Sequence, residues 1–272
     1  MCLAVLALNA HPRLPLLLVA NRDEYHARPS LPAGPWPGHP DIVAGRDLSA
    51  GGTWLGIARG GRYALVTNYR DPRRLMPDAP SRGALVQDYL QGALGPEPYL
   101  RELAARQQRY NGFNLIVGDP QGAWYAGNRD PQGGPRRLAD GVHGLSNHLL
   151  DTPWPKVRRT RQAVAALLRE PHAPAVQALM EVFADRRGAP DGELPDTGVG
   201  LARERMLASP FIASPDYGTR CTTVVLAGPD GAISLYERQY DPQGAAVHEA
   251  GWRLRKGPAH RISATDGSVC LP

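Results

Sequence analysis

The chain is poor in cysteine: its 272 residues hold three, Cys2, Cys221 and Cys270. An odd count without a C-x-x-C pair excludes a disulfide framework and a cysteine zinc site. Sparse free thiols suit a reducing compartment. Lysine is scarcer still. Lys156 and Lys256 are the only two, and arginine supplies the rest of the positive charge. The net charge of +5 is scattered. With no run of five or six like charges, nucleic acid is not an expected partner. No apolar run reaches the length of about 20 residues that spans a bilayer. The apolar stretches 2–8 and 14–20 are separated by polar residues and prolines, and no basic segment precedes them, which argues against a signal peptide. The expectation is a soluble, cytoplasmic protein without a membrane span.

Other chemistries lack their signatures. The eight histidines include no H-x-x-x-H pair, so no metal and no cofactor are expected. Gly51-Gly52 is followed by neither a lysine nor a helix signal, which argues against a phosphate loop. No pair of carboxylates at a cleft is evident, so glycosidase chemistry is unsupported.

What the chain does have is a 42% hydrophobic composition, enough for a sizeable core, and no linker or internal repeat. A single domain over residues 1–272 is expected. Residues 2–8 and 16–20 read as two buried strands joined by a turn. Residues 28–40, rich in proline and glycine, read as a loop packed down by Trp36. A short strand at 42–47 and hairpins at 51–58/63–69 and 113–118/123–127 follow. Ser81 reads as the N-cap of a helix, and a second helix covers 99–108. After a strand at 142–145, Thr152-Pro153 opens a helix to about residue 169, and helix continues over 174–185. Residues 188–198 form a polar loop that could move over a site. Strands return at 219–227, 232–240 and 247–254, before a polar tail. Strands, then helices, then strands make an α+β layered pattern rather than a doubly wound sheet.

The residues of chemical interest stand at strand ends. Removal of Met1 would leave Cys2 carrying both a thiol and a free α-amine. The amine has an ordinary pKa of about 7.7–8.0, and a terminal amine can act as the base for a nucleophile on its own residue. Cys2 can equally pack as a small hydrophobe, and the sequence alone leaves both readings open. Asn21-Arg22-Asp23-Glu24 follows the second apolar run. Asn68, Asn147 and Arg220 also fall where strands begin or end. Cys221, next to Arg220 in a strand, reads as core, and Cys270 as part of the tail.

An ordered set of motifs then points to a family. Met1-Cys2, Asn21-Arg22-Asp23-Glu24, Gly51-Gly52-Thr53-Trp54-Leu55-Gly56, Thr67-Asn68-Tyr69-Arg70, Tyr110-Asn111-Gly112-Phe113-Asn114, Leu145-Ser146-Asn147 and Tyr217-Gly218-Thr219-Arg220 resemble the NRDE family, also described as the transport-and-Golgi-organisation family. That family is similar in turn to cysteine N-terminal nucleophile hydrolases such as penicillin V acylases. The resemblance implies a four-layer αββα sandwich of two stacked, mainly antiparallel sheets, and hydrolysis of a C–N bond in a small-molecule amide or acyl substrate. By that resemblance Cys2 is the nucleophile, its amine the base and Asp23 the residue holding the amine. Arg220 tunes the thiolate, while Asn68 and Asn147 support the amine and the oxyanion. Arg22 and His148 are candidate substrate contacts. The acylases keep two residues between arginine and aspartate, whereas Arg22 and Asp23 are adjacent, with Ala20 at the acylase arginine position. Strand alternation therefore turns Arg22 away from whatever face Asp23 shares with Cys2. A second reading is a non-catalytic protein that binds or carries haem or an acyl-CoA-like lipid.

Overall fold

The computed structural model describes residues 2–255 and 259–263, residue 2 by its backbone alone. The chain opens with β1 (Cys2–His11) and β2 (Leu14–Tyr25), followed by β3 (Ser30–Trp36), β4 (His39–Asp47), β5 (Leu55–Ala58) and β6 (Arg62–Asn68). Helices α1 (Gly83–Gln91) and α2 (Pro96–Ala104) precede β7 (Phe113–Asp119), β8 (Gly122–Gly127), β9 (Arg136–Arg137) and β10 (Gly141–Leu145). Next come α3 (Pro155–Leu167), α4 (Val176–Phe183) and α5 (Leu201–Met206). The last strands are β11 (Tyr217–Ala227), β12 (Ile233–Tyr240), β13 (Ala246–Leu254) and β14 (His260–Ile262).

These strands build two antiparallel sheets. One has the order β10-β1-β2-β11-β12-β13-β14, the other β3-β4-β5-β6-β7-β8-β9. The alternation of β1 and β2 explains the layers. Leu6, Leu8, Leu16 and Leu18 point into the space between the sheets, where they meet Leu55, Ile57, Leu65 and Tyr125. Leu3, Val5, Leu17 and Val19 point the other way, onto Val157 and Val164 of α3 and Leu179 and Phe183 of α4. On the far side, α1 and α2 lay Leu85, Tyr89, Leu100 and Leu103 over β6 and β7. Strands buried on both faces read as continuous apolar runs. The result is the αββα sandwich expected from the resemblance.

Several local expectations need correction. Residues 28–40 hold β3 and the start of β4 instead of a loop. Pro32 and Pro35 are tolerated because β3 is the edge strand of its sheet. The second strand does end in Asn21-Arg22-Asp23-Glu24 but is longer than 16–20, running to Tyr25 because β11 pairs with it as far as Tyr217. Helix α3 starts at Pro155 after Trp154, not at Thr152-Pro153. Helix α5 lies just past the loop read at 188–198, in a stretch given no element, and strand β14 lies in the segment read as tail. Cys221 is buried in the inter-sheet core, and Cys270 lies outside the described residues.

Candidate functional site

Position 2 begins β1, and the antiparallel register sets it directly across from Arg22 of β2. Cross-strand partners share one face of a sheet. Arg22 is buried on the inter-sheet side. Its guanidinium stacks 4.2 Å from the Trp54 ring centroid, donates to Ser30 Oγ at 3.4 Å and lies 3.8 Å from Asp47. Trp54 is held in turn by close approaches. Its ring covers Gly45, where a Cβ would sit 2.3 Å from it, and Gly52, at φ +74°, lets the preceding loop abut the backbone of α1.

Asp23 takes the opposite face. It is fully buried, accepts a 2.7 Å hydrogen bond from Thr219 Oγ1, and its backbone carbonyl accepts one from the Tyr217 hydroxyl at 2.9 Å. Burial pushes its carboxyl above the ordinary value, against the pull of the positive charges of Lys156 and Arg70. Asn21, on that same face, has a structural task. Its amide donates to the carbonyls of Phe183 and Pro210, both at 2.9 Å.

The resemblance implies that Arg220 tunes the Cys2 thiolate. Instead its Nη1 donates to the carbonyls of Tyr25, His26 and Arg28 at 3.0–3.2 Å. The cause is an irregularity in the β2–β11 register. Thr219 pairs with Asp23 and Cys221 with Arg22, leaving Arg220 as the extra residue of a bulge. Half-burial and the positive charge of Arg22 lower the Arg220 pKa. Arg220 shapes the turn after β2, and the cation across from position 2 is Arg22. Arg22 and Asp23 take opposite faces, as strand alternation predicts; which of them the Cys2 side chain faces lies outside the described residues.

Asn147 follows β10 and is fully buried. Its Nδ2 donates to the Asn68 carbonyl at 3.0 Å, so the two asparagines are neighbours. Arg70 fixes this corner. Its backbone N–H donates to the Asn147 carbonyl at 2.8 Å, and its Nη1 meets Glu204 of α5 at 2.7 Å in a buried ion pair. Asn114 adds a second clamp, donating to Thr67 Oγ1 at 3.1 Å and to the His148 carbonyl at 2.8 Å. His148 sits between Tyr69 and Trp154, with ring centroids 5.0 Å and 5.7 Å away. Its Nδ1 contacts Thr152 Oγ1 at 2.9 Å, and burial lowers its pKa.

Sequence reasoning named Arg70 and Asn114 only as letters of motifs and missed Glu204 and Lys156. Lys156 was visible as one of two lysines, and both it and Glu204 are buried. Among the described residues no cluster of His, Cys, Asp and Glu has the makings of a metal site.

Two clefts meet at this end of the sandwich. A polar one of about 270 Å³ is lined by Arg22, Asp23, Arg28, Asp47, Trp54 and Asn68. A more apolar one of about 400 Å³ is lined by Tyr25, Val199, Met206, Leu207, Pro215 and Tyr217. Glu24 and Asn68 line both. A larger cleft of about 590 Å³ opens at the opposite end, around Leu8, Leu16 and Tyr63, and contains none of the expected site residues.

The family model for Transport and Golgi organisation 2 matches residues 1–242. The chain belongs to this family. A curated relative, the Transport and Golgi organization protein 2 homolog of Bos taurus, is 37% identical over 82% of this chain and 86% of its own length. The Homo sapiens homolog is 36% identical over the same shares, and the Drosophila melanogaster Transport and Golgi organization protein 2 is 26% identical over 90% of this chain and 95% of its own. Among solved structures, a Caenorhabditis elegans N-acylethanolamine-hydrolyzing acid amidase ortholog superimposes with a TM-score of 0.50 at 9% identity, covering 83% of this chain and 92% of that one. At that identity the likeness is one of fold.

Proposed function

We propose that the protein is an N-terminal cysteine hydrolase that cleaves an amide or related acyl substrate. In this reading Met1 is removed and the free amine of Cys2 takes the proton of its own thiol. The thiolate attacks the acyl carbon, and the electron pair moves onto the carbonyl oxygen. Arg22, across the ladder, favours the thiolate, as a nearby cation does for any cysteine. Amide N–H groups of Asn68 and Asn147 face the developing oxyanion. The C–N bond then breaks, the ammonium of Cys2 returns the proton to the leaving amine, and water releases the acyl group from sulfur. Asp23, on the helix side, orients the α-amine, with Lys156 as its nearby counter-charge. Arg28 borders the ground where substrate would lie, whereas His148, between Tyr69 and Trp154, is not among the residues lining either cleft. We read the sparse cysteines as suiting a reducing cytoplasm, and the chain as one domain.

The observation that carries this reading is the pairing of position 2 with a buried arginine at the edge of a cleft that Asn68 also lines. The test is labelling of the full chain with a thiol-reactive acyl probe, mapped by mass spectrometry. A single adduct at Cys2, lost in Cys2→Ala, is expected. Equal labelling of Cys221 or Cys270 would remove the argument for a special thiol.

The adjoining clefts also favour a second reading, a binding protein for an acyl-CoA-like or haem-like ligand on the same scaffold. It requires no free amine at residue 2, so the state of the N-terminus separates the two.

A further inference from the structure

Large apolar side chains are unevenly exposed on this molecule. Among the described residues eight stand well out of the surface. Six of them, Tyr25, Leu31, Leu48, Leu75, Met76 and Leu201, surround the two clefts. The other two lie elsewhere, Leu94 beside Arg62 at the far end and Val247 out on β13. Scattered exposed leucines need no explanation, but concentration around one opening does.

The six stand on separate segments that are joined into a ring. The Leu48 amide bonds the Pro29 carbonyl, just before β3 and Leu31. Tyr25 ends β2, and its hydroxyl accepts from Arg203 of α5, two residues past Leu201. Arg73 lies against Gly198, which leads into α5. Met76 exchanges two backbone hydrogen bonds with the Asn111 side chain on the rim of the polar cleft. Leu75, 64% exposed, is the most prominent of the ring.

We propose that this end of the sandwich rests on a lipid bilayer, with the ring in the headgroup region and the clefts facing the membrane. The geometry favours a bilayer over a protein partner. A stable protein interface has a continuous, closely packed apolar centre, whereas here the centre is an opening and the apolar groups form its rim. Side chains on separate loop tips can enter a soft interface one by one. Arg28, Arg46, Arg73 and Arg203 stand between them, and guanidinium groups pair well with lipid phosphate. Because Glu24, Asp71 and Asp216 occupy the same end, the attachment rests on apolar insertion, not on net charge. Among the described residues no helix is long and apolar enough to cross a membrane, so the contact is peripheral. An amphiphile leaving the bilayer would pass its apolar part into the 400 Å³ cleft. The surface stands without the catalytic reading, and only the substrate class, an amide-linked amphiphile, rests on it.

The test is co-sedimentation of the full chain with phosphatidylcholine vesicles, in low salt and in 0.5 M NaCl. Binding that survives salt is expected, with a partition coefficient lower by at least about tenfold in the triple variant Leu48→Ser, Leu75→Ser, Leu201→Ser. Thermal unfolding at the wild-type temperature would show that the variant is folded. Cys2→Ala should bind vesicles like wild type, which keeps this result apart from the fate of the hydrolase reading. A wild-type chain that stays in the supernatant would overturn the proposal. So would a variant that binds equally well, or a self-association on gel filtration that the triple variant abolishes without any vesicle binding.

Discussion

Arg22 and Asp23 are adjacent in the chain yet serve opposite faces of one sheet. Arg22 lies across from position 2 and stacks on Trp54 between the sheets. Asp23 is sealed on the helix side with Thr219. The pair therefore faces two ways, Arg22 toward the space between the sheets and Asp23 toward the charges of Lys156 and Arg70.

That split sets the first expectation. Arg22→Ala should raise the apparent pKa of the Cys2 thiol, seen as slower alkylation by iodoacetamide near neutral pH. Arg220→Ala should leave the profile nearly unchanged and instead loosen the turn whose carbonyls it binds. Rates measured against pH for both variants decide the matter, and a larger shift in Arg220→Ala would contradict the assignment.

Asp23 gives a pH dependence of known sign. Its folded-state pKa is raised by burial above the ordinary 3.8. Such a group favours the folded state while protonated, and that contribution is lost as pH rises through the folded pKa. Asp23→Asn lacks this loss. The melting temperature of the variant minus that of wild type should therefore increase from about pH 4 to pH 7. A difference that narrows over the same range would mean that Lys156 and Arg70 outweigh burial.

The Arg70–Glu204 pair, 2.7 Å long and almost fully buried, should be costly to break from one side. Glu204→Ala is expected to lose about 3 kcal/mol in urea unfolding, because it removes the carboxylate that meets a buried guanidinium. Arg70→Met combined with Glu204→Met should lose less than the two single changes summed. Additive losses would show that the pair is not coupled.

Much of this fold was legible. The β7–β8 and β11–β12 hairpins were marked by apolar strands around Asp-Pro-Gln-Gly and Gly-Pro-Asp-Gly turns. Strand β3 was hidden because Pro32 and Pro35 read as loop, and only its edge position makes them tolerable. Helix α5 spans barely more than one turn and holds Glu204, whose partner Arg70 is 134 residues away in sequence. No local pattern announces such a pair. The setting of Arg220 was hidden for a similar reason. A bulge inserts one residue in β11 and changes which side chain meets which, and neither composition nor periodicity records it.

If Asn147 supports the oxyanion, Asn147→Ala should lower kcat by roughly 10²–10³ with little change in KM, once a substrate is in hand. Its amide also holds the Asn68 backbone carbonyl, a bond that Asn68→Ala keeps, so a fall in kcat in Asn68→Ala would report the Asn68 side-chain amide itself. A change confined to KM in either variant would reassign that residue to binding.

An N-terminal cysteine hydrolase must present a thiol and a free amine together at residue 2. The most direct measurement is the intact mass of the purified full-length protein, with the N-terminal peptide sequenced. The account expects a chain lighter by one methionine residue, beginning at an unmodified Cys2. A chain that keeps Met1, or whose Cys2 amine is acetylated, would contradict it, since a blocked amine cannot take the thiol proton.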